Sequence, residues 1–331
     1  MRSLTLFRST ELFYSILLIG LATSFFGIAN ASELDPVLVF ILAGQSNMEG
    51  QGVVDYDHPQ HYNGGKGNLE FVMRNSVQRQ RYGHLRNEQG GWVVRDDVWI
   101  RFQTERHGLK KGGLGIGYTS YPGKHHIGPE LQIGHQLGDH LKQQVLLIKT
   151  AWGGKSLHKD FRPPSAGGTV GPYYTRMVTE IRQALTNLSH DFPTYDNRGY
   201  QLAGFVWFQG WNDMFDAEAR DEYEQNLVHL IQDVRKELGI PKLPVVIGEL
   251  GNGGEKAGAN MIAIRQAQKA ATTRPPFKNT VRFIKTTQCA RPKDDSPNTG
   301  HGHHWFGNAE SYFLIGDALG KAMVELLENN P

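Results

Sequence analysis

The chain has 331 residues and a single cysteine, Cys289. One thiol excludes an intramolecular disulfide and any cysteine-based zinc cage, so stability has to come from packing. Cys289 falls just after an apolar run and reads as a packed thiol. Charge of one sign is also scarce. The 35 Lys and Arg against 33 Asp and Glu leave a formal charge of +2, with none of the concentrated basic surface that nucleic-acid binding requires. There is no internal repeat and no low-complexity linker. After the first thirty residues, no apolar run approaches the ~20 residues of a membrane span.

What is present starts with an export-like segment. Arg2 and Arg8 precede an apolar run over residues 13–26, followed by Ala29-Asn30-Ala31. Basic start, short apolar run and small-x-small site form the order of a secretory signal peptide. Cleavage after residue 31 is expected, with an uncleaved N-terminal anchor as the alternative. The mature chain, residues 32–331, would then be secreted or periplasmic, without stable membrane insertion. Its length suits one large α/β domain.

Five continuous apolar runs read as buried strands: Val37–Ala43, Val145–Lys149, Leu202–Phe208, Pro244–Gly248 and Val281–Thr286. Runs without alternation suit strands covered on both faces. Helical spacing lies between them. It occurs at Val178, Ile181, Leu185 and Leu188, and at Leu227, Leu230, Ile231, Val234 and Leu238 with a stop at Gly239. It recurs after Pro129, over residues 259–271, and from Ile315 to Leu326. The alternation predicts an α/β fold, a three-layer doubly wound five-stranded parallel sheet. Residues 50–128 form a long Gly-, Tyr-, His- and Arg-rich insertion after the first strand. Within it Trp92–Phe102 reads as a hairpin turning at Arg95–Asp97. An insertion of this size is uncommon and often functional, and in such a fold it would lie near the carboxyl ends of the strands.

Polar loops follow three of these strands. Ser46, in Gly44-Gln45-Ser46-Asn47-Met48, comes directly after the first and is a candidate nucleophile or an ordinary turn serine. Thr150–Ser156, with paired Gly153 and Gly154, follows the second and offers backbone N–H groups to a developing oxyanion. Gln209-Gly210-Trp211-Asn212-Asp213 ends the third, with amide donors on Gln209 and Asn212. Among 14 histidines, the cluster His301, His303 and His304 lies between the last strand and the last helix, where a general base would meet Ser46. A metal site is the competing reading of that cluster; its spacing is wrong for a helical ligand pair, and no acidic pair accompanies it. Trp152, Trp211, Trp305 and Tyr118 are either sugar-stacking or core aromatics.

The Gly44–Met48 stretch resembles the nucleophile block of the SGNH hydrolase superfamily, and more narrowly its sialate O-acetylesterase-like branch with acetyl xylan esterases of carbohydrate esterase family 6. Gly128–Leu131 resembles the entry to that branch's first helix. Thr150–Ser156 resembles the block supplying the oxyanion glycine, here Gly154. Phe208–Asp213 resembles the His-Gln-Gly-Glu block, and His304-Trp305-Phe306 the terminal catalytic histidine. The resemblance implies a flavodoxin-like SGNH fold and a serine esterase removing acetyl from carbohydrate, with no metal or organic cofactor. Ser46 would be the nucleophile, His304 the base, Gly154 and Gln209 the oxyanion donors, and Asn212 the alternative donor. Three positions depart from the pattern. Phe208 stands for the family's histidine, Trp211 for its glutamate, and His301 for the aspartate that orients the imidazole. Asp213 is the leading substitute acid; Glu249, Asp294, Asp295 and a backbone carbonyl are alternatives. The missing acid also admits a non-catalytic carbohydrate-binding protein on a degenerate esterase fold.

Overall fold

All eight positions of Val37–Gly44 are buried, as they must be in a strand with both faces covered. In the computed structural model, which describes residues 35–329 apart from 76 and 78, this segment is β1, the central strand of the main sheet. The export segment expected at residues 1–31 lies outside the described residues. After β1 come α1 (Ser46–Glu49), β2 (Gly52–Val53), α2 (Leu69–Asn75), β3 (Arg95–Gln103), β4 (Leu109–Leu114) and β5 (His126–Ile127). Next are α3 (Glu130–His140), β6 (Val145–Ala151), α4 (Pro172–Thr186), α5 (Leu188–Asp191), β7 (Tyr200–Phe208) and α6 (Ala217–Glu237). The chain closes with β8 (Val245–Gly248), α7 (Ala259–Thr272), β9 (Val281–Ile284) and α8 (Ala309–Glu328).

The sheet runs β4-β3-β6-β1-β7-β8-β9, and β2 pairs with β5 separately. Side chains of β1 alternate between two cores, as the two-residue period of a strand requires. Val37, Val39, Ile41 and Ala43 join Ile181 of α4, Ile231 of α6 and Ile264 of α7. Leu38, Phe40 and Leu42 join Ile133 of α3 and Leu319 and Met323 of α8. Three layers result, as expected. Among the described residues no helix is long and apolar enough to cross a membrane.

The expected strand count is corrected from five to seven. All five expected strands are present, but the insertion contributes β3 and β4 to the same sheet. β3 runs parallel to β6 from Val98↔Val145 to Phe102↔Lys149 and antiparallel to β4. The hairpin expected within residues 92–102 is therefore one strand, and its turn falls after Gln103. Burial explains the difference: Val98, Ile100 and Phe102 are fully buried and Trp99 stacks on Phe192 across a 4.7 Å centroid separation. A free hairpin would have left these side chains in water.

Lys149 of β6 is buried in this edge of the sheet. Its Nζ donates to Glu130 Oε2, to the main-chain oxygen of Glu49 and to that of Tyr118, each at 2.8 Å. One ammonium thus joins α1, the insertion and α3. Burial pulls its pKa down and Glu130 pulls it back up. Lys149→Met leaves Glu130 buried without its counter-charge and is expected to lower stability by about 3–5 kcal/mol, read as a shift in the urea unfolding midpoint.

Candidate active site

Register brings the site together. Gly44 at the end of β1 is level with Ala151 of β6 and Phe208 of β7, so the loops after all three strands open at one edge. The chain leaves β1 towards β6 on one side and later returns to β7 on the other, which makes this edge the topological switch point where α/β sheets bind ligands. Gly44 is required there: its φ is +154°, and a Cβ would come 2.2 Å from the Phe208 carbonyl oxygen.

Ser46 opens α1 and is 8% exposed. It borders a cleft of about 500 Å³ together with Gly153, Gly154, Asn212, His303 and His304. The Ser46 and Gly154 N–H groups have no backbone acceptor among the described residues. Gly154 holds φ +71° and has open space where a Cβ would project. Gln45 fixes the third loop: its Oε1 accepts from Gly210 N at 3.1 Å and its Nε2 donates to Asn212 Oδ1 at 3.3 Å. That sets the Asn212 amide so that Nδ2 donates to Gly154 O at 2.7 Å, with Asn212 bordering the cleft.

The two amide candidates now separate. Gln209 Nε2 donates to Lys155 O at 3.0 Å and to Asp213 Oδ2 at 2.5 Å, while its Oε1 accepts from Tyr223 Oη at 2.9 Å. Both polar atoms of the Gln209 side chain are engaged inside the protein, whereas Asn212 borders the cleft, which favours Asn212 as the side-chain donor. Asp213 also has its partners elsewhere. Its carboxylate, fully buried, accepts from Leu157 N at 3.0 Å, His158 N at 2.9 Å and Gln209 Nε2, with no bond to His304. Burial pushes Asp213 up to about 6 against the pull of these donors. It ties Leu157 and His158, further along the loop after β6, to the end of β7. Glu249 is likewise occupied, with Oε2 accepting from Thr286 N, Thr287 N and Thr287 Oγ1. Asp294 and Asp295 are exposed and bond no histidine ring.

The histidine loop is fixed through its main chain. His303 O accepts from Asn47 Nδ2 and from Asn252 Nδ2, both at 3.1 Å. Tyr312 Oη of α8 donates to Asn47 Oδ1 at 2.8 Å and to His304 O at 3.4 Å. The residue after the candidate nucleophile is thereby bonded to the residue before the candidate base. Trp305 and Phe306 carry φ of 52° and 55°, a left-handed pair that non-glycine residues adopt at some energetic expense. The rings of His303 and His304 lie 4.0 Å apart. Burial, then the neighbouring His303 and His301, push His304 down to about 3, so its imidazole is neutral in the ordinary pH range, and the same burial weakens it as a base. No hydrogen bond from a carboxylate or carbonyl reaches its ring nitrogens among the described residues. No group of three or more His, Cys, Asp or Glu is placed to hold a metal ion among those residues.

Of the aromatics, Trp152 and Trp305 are core residues at 0% and 3% exposure, whereas Trp211 lines the cleft. The insertion supplies the opposite wall through Glu105, Arg106, His107 and Tyr121. Glu49 was not singled out by sequence reasoning, yet its carboxyl lies in the cleft. The available signal was its spacing, one helical turn after Ser46 and directly before Gly50, whose φ is +95°.

Comparison with known proteins identifies relatives of this chain. The profile of the family described as carbohydrate esterase, sialic acid-specific acetylesterase, matches residues 36–325. A protein of Arabidopsis thaliana described as a probable carbohydrate esterase is 24% identical over 230 residues, spanning 67% of this chain and 72% of that one. An Arabidopsis thaliana crystal structure superposes with a TM-score of 0.54 at 17% identity, over 87% of this chain and 98% of that one. The crystal structure of NanS superposes with a TM-score of 0.56 at 16% identity, over 89% and 98%.

Proposed function

Since the chain belongs to the sialic acid-specific acetylesterase family of carbohydrate esterases and is a carboxylic ester hydrolase, we propose that it releases acetate from acetylated carbohydrate through an acyl-enzyme on Ser46. His304 takes the Ser46 proton as Oγ attacks the ester carbonyl. The oxyanion is received by the N–H groups of Ser46 and Gly154 and by Asn212 Nδ2. The proton then passes to the departing sugar oxygen, leaving acetyl-Ser46. Water, deprotonated by the same imidazole, attacks this ester, and acetate leaves as Oγ recovers its proton. Trp211 supplies a flat apolar face for the sugar, and the export segment at residues 1–31 supports action outside the cytoplasm.

One observation carries the reading: Ser46 and His304 line the same cleft, and Asn47 ties the two segments together at 3.1 Å. The test is acetate release from acetylated monosaccharides and short acetylated oligosaccharides. Turnover is expected, and Asn212→Ala is expected to lower kcat by about 10²–10³-fold, the effect of deleting one oxyanion donor. Saturable binding of acetylated sugar without acetate release would overturn catalysis and leave a binding protein.

A further inference from the structure

We propose that Glu49 is a controlling ionisable group of this cleft, and that ester cleavage requires its carboxyl in the neutral form. The inference rests on Ser46 being the nucleophile.

Glu49 is 6% exposed and one helical turn from Ser46. A Cβ placed on Gly153 would sit 3.1 Å from Glu49 Oε2 and 3.6 Å from Ser46 Cβ, so carboxyl and nucleophile flank the same glycine. Gly154, the next residue, presents the N–H that receives the oxyanion. The carboxyl therefore lies beside the loop that offers this N–H.

Its surroundings leave it without a cation of its own. Lys149 on β6 touches only the main-chain oxygen of Glu49 and directs its charge to Glu130 on α3. From the β3–β4 turn, Arg106 favours the ionised form and Glu105 opposes it. Tyr121, ahead of β5, and Tyr312 on α8 also feel its charge and are neutral in this range. Burial is the largest influence and pushes Glu49 up to about 7, against Lys149 and the Gly153 N–H.

The sign of the effect follows from what each group feels. The Glu49 carboxyl stands beside Gly153, next to the Gly154 N–H, whereas among the described residues no hydrogen bond or ion pair joins it to the His304 ring. An ionised Glu49 thus does little to favour the imidazolium formed during attack, but it opposes the oxyanion developing beside it. Charge repulsion over a few ångströms in a partly dry cleft is expected to slow the reaction between about tenfold and about a hundredfold. His304 is neutral on both sides of pH 7, so it adds no opposing limb there.

The test is kcat for acetate release from phenyl acetate between pH 5 and pH 9, corrected for spontaneous hydrolysis, in the wild-type chain and in Glu49→Gln. The wild type is expected to lose activity through pH 7 with the slope of a single proton. Glu49→Gln is expected to show no such fall, whatever its absolute rate. The rate at which a fluorophosphonate labels Ser46 in the wild type gives the same information without requiring the variant to fold, and it should fall through the same pH. A wild-type profile that is flat or rising through pH 7, or an unchanged fall in Glu49→Gln, overturns the role of Glu49. No labelling at any pH overturns the nucleophile itself, and the inference with it.

Discussion

Ser46→Ala is expected to abolish acetate release, with kcat reduced by at least about 10³-fold and towards the ~10⁶-fold seen when a serine nucleophile is deleted elsewhere. The side chain keeps its Cβ, and among the described residues no hydrogen bond to the Ser46 hydroxyl holds the fold together. Stability should therefore change by no more than about 0.5 kcal/mol, and the thermal unfolding midpoint separates lost chemistry from lost folding. Residual turnover near the wild-type rate would remove Ser46 from the reaction and return attention to the histidine cluster.

The second large effect concerns that cluster, where two imidazoles share the cleft. His304→Ala is expected to lower kcat by about 10³-fold or more, while His303→Ala, which removes the less buried ring next to Trp211, is expected to cost less than about tenfold. His304→Ala leaves room in the cleft for a free imidazole, so added imidazole should restore part of the rate in this variant and none in Ser46→Ala. Equal losses in both histidine variants, or rescue only of His303→Ala, would exchange their roles. Because the ring makes no hydrogen bond to an acid, Asp213→Asn should act on the loop after β6 and on stability rather than on the basicity of His304.

The positions of these groups were legible to different degrees in the sequence, for physical reasons. The five apolar runs were readable because a strand covered on both faces has no polar phase, and the helices because their spacing was regular up to stops such as Gly239. Ser46, Gly154 and the histidines followed from strand ends, since sheet register forces neighbouring carboxyl ends to one edge. The insertion was misread because Trp92–Phe102 mixes charges with large apolar residues; only contact with β6 shows that Val98 to Phe102 is the buried part. The partners of Asp213 and Gln209 were not legible because type and position along the chain do not reveal them. Both lie at the right strand end, yet they bond to each other and to the loop beside them. For Glu49 the spacing from Ser46 was the one local signal, and it does not tell that tertiary packing will dry the carboxyl.

The strands β3 and β4 give the insertion a second meaning. β6 would otherwise end the sheet with a bare parallel edge, its peptide groups from Val145 to Lys149 open to pairing with a strand of another molecule. By occupying that edge, the same segment that walls the cleft also keeps the chain from templating its own aggregation. Trimming it to widen the cleft would therefore trade access for insolubility.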